Sequence, residues 1–184
     1  GYLPEMWIKN CVVVGLASAF VEPIEATSIG GTIQQLRCLI DNLYAYNPKS
    51  VAIQKTFNYK MNIMMENILS MIYLHYMSDR DDTEMWRAQK NMPVPEYLQN
   101  LLDLWSERPP SHYDIGYSNY EMFHVQHFYH VAQGQKVINL QGASRLLDEF
   151  NLREEAKNMY YNAKLGQSNH AKVDHFESLK QIQI

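Results

Sequence analysis

Between Phe20 and Gly31 the chain reads FVEPIEATSIGG, with two carboxylates, Glu22 and Glu25, on either side of Pro23 and a glycine pair close behind. An apolar run ends at Val21, and a helical pattern begins a few residues later. A carboxylate in such a loop has two chemical uses: it can take a proton from a reacting group, or it can complement the positive end of the helix that follows. The helix brings a resource of its own, because its first N–H groups lack intrahelical acceptors and favour anions. Thr27 or Ser28 is the natural N-cap. Gly30 and Gly31 reduce the bulk of the first turn so that a ring or a backbone can come close. Pro23 holds Glu22 extended, which suits Glu22 to a structural role, bonding backbone donors of the loop. On spacing alone both uses of Glu25 stay open.

The elements that position this loop can be read from the flanking pattern. The run CVVV at Cys11 to Val14 predicts a buried strand paired on both sides. No other stretch reads as its partner, so its neighbours are expected upstream and the chain reads as a fragment. After the loop, Ile33, Leu36, Leu39, Ile40 and Leu43 predict a helix over about 28–46, and Ile53, Phe57, Met61, Met64, Ile68 and Ile72 a long one over about 51–77. TEMWRAQK is a short segment, and prolines bound a further helix in PVPEYLQNLLDLWSERPP. SHYDIGYSNYEMF reads as loop, HVQHFYHVAQ as helix, and GASRLLDEFNLREEAKNMYYNAKL as one or two amphipathic helices before a polar, fraying tail from Gly166. The expected fold is mainly α with one strand or two.

Of 184 residues, 46% are hydrophobic and 12% aromatic, the composition of a globular domain with a real core. A net charge of -4 supplies no basic field for nucleic acid or anionic membrane. The longest apolar run, Cys11 to Val21, is too short to cross a bilayer. Cys11 and Cys38 stand singly, which points to reduced thiols in the cytoplasm and to no zinc site. His124, His127 and His130 recur every three residues, but they interleave with Phe123, Phe128 and Tyr129 and lack carboxylates at ligand spacing, so an aromatic cavity or core is preferred to a metal. The Met61, Met64, Met65 and Met71 cluster reads as adaptable core filler, and SDRDD as a solvated turn.

WIKNCVVVGLASAFVEPIEATSI as a whole resembles one segment of the flavin-dependent halogenases of the tryptophan halogenase type. There a strand ending in NCVxxGLA runs into F-x-E-P-x-E-[SA]-T-[SG]-I; this chain has Asn10, Cys11, Gly15, Leu16, Ala17, Phe20, Glu22, Pro23, Glu25, Thr27, Ser28 and Ile29 at those places. HYMSDRDDTEMW and HVAQGQ extend a weaker likeness over roughly the first 140 residues.

The resemblance implies electrophilic halogenation of an aromatic, indole-like substrate by hypohalous acid, made from a halide with reduced FAD and oxygen. It implies Glu25 as the catalytic carboxylate, Thr27 and Ser28 as the halide-binding positions, and Ile29, Gly30 and Gly31 as flavin contacts, with no metal. By position, the substrate pocket would draw on Phe123, His127 and Phe128. A carboxylate and a halide repel in one dry pocket, so the loop is expected to wall off two compartments. The implied fold is the C-terminal part of an α+β flavin monooxygenase/halogenase fold whose Rossmann-like FAD part is missing from this chain. Residues 1–46 would complete the flavin-binding domain, residues 47–165 form a helical substrate-binding region, and residues 166–184 the tail. No GxGxxG occurs, and the family's catalytic lysine has no counterpart here. A separate flavin reductase and the missing N-terminal FAD-binding part are the implied partners, and a homo-oligomer is compatible with the resemblance. A flavin-dependent monooxygenase and a non-catalytic helical interaction module are the rival readings; the first would not need Glu25.

Overall fold

The computed structural model describes residues 1–116 and 120–170, with the backbone alone at 167–170. Part of the aromatic loop and most of the polar tail therefore lie outside the described residues. A two-stranded antiparallel hairpin, β1 (Trp7–Ile8) and β2 (Cys11–Val12), precedes seven helices among the described residues. These are α1 (Thr27–Leu43), α2 (Ala52–Tyr76), α3 (Glu84–Lys90), α4 (Glu96–Glu107), α5 (Val125–Gly134), α6 (Gln141–Glu149) and α7 (Arg153–His170). Gly1–Leu140 forms one compact unit and the residues from Gln141 onward a second, so the division falls within the stretch that sequence reads as one helical region.

The CVVV run departs from its expected form. Its partner is Trp7–Ile8, immediately before it, reached through a turn in which Lys9 adopts a left-handed φ of 54°. Cys11 is exposed and Val12 only half-buried. The other edge of β1 is met by side-chain amides instead of a third strand. Asn58 of α2 accepts from the amides of Met6 and Trp7 at 3.0 and 2.8 Å and donates to the Trp7 carbonyl at 3.0 Å. Gln54 donates to the Lys9 carbonyl and Asn62 to that of Pro4. These three amides recur every four residues, so one helix face satisfies the backbone groups that a neighbouring strand would have taken.

α2 is the central post. Its Phe57, Met61, Met64, Met65, Ile68, Met71 and Leu74 are all buried, and unbranched thioethers fill the irregular space between α1, α4 and α5. The inner face of α1 carries Thr27, Gly31, Gln35 and Cys38. Its outer face carries Ile29, Ile33, Leu36, Ile40 and Leu43, all exposed in this chain. A helix apolar on both faces is characteristic of one enclosed between two layers.

Candidate active site

Three residues before α1 the backbone makes a 3-10 turn over Ile24–Ala26. Within it, Glu25 (φ 57°, ψ 30°) and Ala26 (φ 56°, ψ 32°) are both left-handed, a conformation that costs an L-residue roughly 1–2 kcal/mol. Ala26, not Thr27 or Ser28, is the N-cap residue, and it has no side chain to cap with. Thr27 is inside the helix and buried because its hydroxyl is used in the opposite direction, donating to the Glu22 carbonyl at 3.1 Å. The Thr27 amide donates to the Ile24 carbonyl.

Glu25 is exposed, and its carboxylate has no hydrogen-bond partner among the described residues. Glu22 is held from two sides: its carbonyl by Thr27 and its carboxylate by the Tyr76 hydroxyl at the end of α2. The expected partners of Glu22 were backbone donors; the observed one is a phenol. That hydrogen bond, with burial and the carboxylate's charge, raises the Tyr76 pKa above its usual range, so Tyr76 stays a donor.

Two spaces border the loop. Behind the first turn of α1 lies a cavity of about 20 Å³ lined by Gly15, Thr27, Ser28, Gly31, Gln35 and Met65, room for about one water-sized occupant. On the other side, Glu22, Tyr73, Tyr76, Met85, Met92 and Pro95 line an open groove of about 500 Å³. The turn that frames the small cavity is fixed by α1: Gln35 accepts from the Gly15 amide at 2.7 Å and donates to the Ser18 hydroxyl at 2.8 Å.

The remaining predicted positions separate. Ile29 is 70% exposed on the outer face of α1. Gly30 faces the Met122 side chain: a Cβ there would fall 2.2 Å from its Cε. Gly31 faces Ile68 and Met64. Phe123 and Phe128 are buried in the core, whereas His127 is exposed and its Nδ1 accepts from the His124 amide at the start of α5. The described residues contain no His, Cys, Asp or Glu group able to hold a metal ion. Tyr76 and Gln35 were not predicted as members of the site. Tyr73, His75 and Tyr76 stand close together in the sequence, but no local pattern tells which carboxylate they would meet.

Comparisons with known proteins identify the family. The family model for tryptophan halogenase matches residues 1–151. The chain is 33% identical over 113 residues to the 7-chloro-L-tryptophan 6-halogenase KtzR of Kutzneria sp. (strain 744), covering 60% of this chain and 21% of that protein. It is also 33% identical over 102 residues to the tryptophan 7-halogenase RebH of Lentzea aerocolonigenes, covering 54% and 19%. Among solved structures, BrvH, a flavin-dependent halogenase from Brevundimonas sp. BAL3, superposes with a TM-score of 0.75 at 28% identity, over 98% of this chain and 36% of its own. The chain thus spans about a fifth of the length of the curated relatives it matches. With the acidic loop, its helix and the packing behind them all falling inside the matched residues, this chain belongs to the tryptophan halogenase family.

Proposed function

We propose that the chain is the C-terminal, largely helical portion of a flavin-dependent halogenase acting on an aromatic, indole-like substrate, working with an FAD-binding portion and a separate flavin reductase. The observation that carries this reading is the left-handed Glu25–Ala26 turn immediately ahead of α1. It sets a carboxylate that has no hydrogen-bond partner among the described residues just ahead of a helix N-terminus, whose Thr27 and Ser28 line a cavity of about one water's size.

This chain offers a flavin only part of a site. Gly30 and Gly31 are covered by Met122 and by Ile68 and Met64, so Ile29 is the member of that trio open to contact at the first turn of α1. The adenine and pyrophosphate need the FAD-binding portion, which belongs against the outer apolar stripe from Ile29 to Leu43. Bound reduced FAD, with oxygen, supplies the oxidation of halide to hypohalous acid.

The chain's own residues take the following parts. The first turn of α1 favours the halide through its dipole and amides; since the Thr27 amide is turned to Ile24, the share of Ser28 is the larger. Glu25 orients the halogenating species and takes the proton lost from the substituted ring carbon. The strand, loop and helix of residues 1–46 complete the flavin side. The helices that follow form the substrate side, with His127 at the arene pocket and Phe123 and Phe128 as its packed backing.

The test is product analysis. The FAD-loaded polypeptide carrying this chain is given a flavin reductase, bromide and an indole, and the product is identified by mass spectrometry. Halide-dependent brominated indole supports the reading. An oxygenated product formed without halide would overturn it in favour of a monooxygenase.

A further inference from the structure

The Glu25–Ala26 turn needs an external support. Two adjacent non-glycine residues in the left-handed region together store on the order of 2–4 kcal/mol of strain, and such a turn persists only where its surroundings over-determine it. The turn's own backbone bond is a long one, from the Ala26 amide to the Pro23 carbonyl at 3.3 Å, and neither side chain adds support. Ala26 has only a methyl group, and the Glu25 carboxylate has no hydrogen-bond partner among the described residues.

Two side-chain bonds flank the turn, and both end on Glu22. Thr27, just after the turn, donates to the Glu22 carbonyl. Tyr76, from another helix, donates to the Glu22 carboxylate. Pro23 then restricts the backbone between that anchor and Ile24, so displacement of Glu22 must be taken up at Glu25 and Ala26. Tyr76 is itself well fixed. Its ring lies 5.7 Å from that of Trp86, which has the Arg80 guanidinium 4.6 Å above it. The neighbouring His75 carbonyl accepts from Gln135, the C-cap residue of α5, at 2.7 Å, and Tyr73 donates to the Met92 carbonyl at 2.7 Å. The end of α2 is thus tied to α5 and to the α3–α4 connection as well as to the acidic loop.

We propose that Tyr76 is a positioning residue for Glu25: by holding the Glu22 carboxylate it keeps the Glu25–Ala26 turn in its left-handed conformation and so fixes where the Glu25 carboxylate sits. The role in catalysis rests on the proposed function; the tether itself does not. Glu22, on this account, is the link between a helix end and a strained turn, which explains why the loop carries two acids three residues apart.

Two variants separate the tether from the chemistry. Tyr76→Phe deletes the donor and keeps the ring, whereas Glu22→Gln keeps an oxygen to accept the Tyr76 hydroxyl. The first measurement is amide hydrogen exchange of the 184-residue chain, followed by mass spectrometry of peptides spanning 20–30. Tyr76→Phe should speed exchange there roughly tenfold, the worth of one hydrogen bond to a charged group, while peptides from 52–70 stay protected. Glu22→Gln should fall between wild type and Tyr76→Phe.

The second measurement, in the FAD-loaded enzyme, is halogenated product per flavin oxidised. Tyr76→Phe should lower kcat for halogenation roughly tenfold or more, the scale of a small misplacement of a reacting group. Flavin oxidation and the KM values for halide and arene should change less than about twofold, and Glu22→Gln should recover most of the loss. Unchanged exchange in Tyr76→Phe, or faster exchange with wild-type coupling, overturns the positioning role. A wild-type enzyme that never halogenates, together with faster exchange in Tyr76→Phe, overturns the proposed function and leaves the tether standing.

Discussion

Asn67 closes a two-point clasp on the peptide of Phe123: its Nδ2 donates to the Phe123 carbonyl and its Oδ1 accepts from the Phe123 amide, each at 2.9 Å. Both groups are buried, so this one side chain replaces the water that the incoming loop loses on its way to α5. Asn67→Ala leaves an amide and a carbonyl unpaired in the core. The variant should lose about 2–4 kcal/mol of stability, read as a fall in the urea midpoint. Asn67→Asp, which keeps the acceptor and removes the donor, should also be destabilised, because it buries a carboxylate against the Phe123 carbonyl.

Asp114 sets an acid limit on the same unit. Burial pushes its carboxyl up, but bonds from Arg108, the Ser111 amide at 2.7 Å and the Trp105 indole at 2.8 Å outweigh burial and hold it below the usual carboxylate range. A carboxyl with a depressed folded pKa contributes stability that is present above its unfolded pKa of about 4 and is lost as pH falls through the folded value. Melting temperature measured between about pH 5 and pH 2 should therefore fall in the wild type. In Asp114→Asn the slope should flatten, from a lower starting point at neutral pH.

Two glycines should respond differently to alanine. Gly15 has a φ of +65°, and a Cβ there would lie 3.3 Å from Thr32 Oγ1. Gly15→Ala should cost roughly 1–2 kcal/mol from the left-handed backbone alone. Gly30 is helical, and the obstacle to its Cβ is the tip of the flexible Met122 side chain. Its displacement works against a gain of roughly 1 kcal/mol in helix propensity. Gly30→Ala should consequently lie within about 1 kcal/mol of wild type, and the difference between the two variants should show directly in thermal melts.

The helices were legible because their apolar spacing is local: the readings of about 28–46 and 51–77 became Thr27–Leu43 and Ala52–Tyr76. The strand was legible in position and not in company. Its β-branched run signalled extended backbone, but the groups that complete its sheet are Asn58, Gln54 and Asn62 of a distant helix, and long-range amide pairing leaves no periodic mark. The N-cap was misread for a related reason. Thr27 has the right chemistry for a cap, yet two left-handed residues moved the cap to Ala26 and left the Thr27 hydroxyl to bond backward to Glu22. Of the site, the EPIEATS motif was visible in the residues themselves, whereas Tyr76 became a member only once the chain had folded back across a sequence separation of 54.

The most direct test of Glu25 as the halogenating carboxylate is the ratio of halogenated product to flavin oxidised in Glu25→Gln. The substitution keeps the side chain's shape and removes its charge and its ability to take the ring proton. In the FAD-loaded enzyme, the ratio should fall by roughly 10²-fold or more, the usual contribution of a positioned base, while flavin oxidation continues at the wild-type rate. Halogenated product formed at near the wild-type ratio by Glu25→Gln would contradict the assignment.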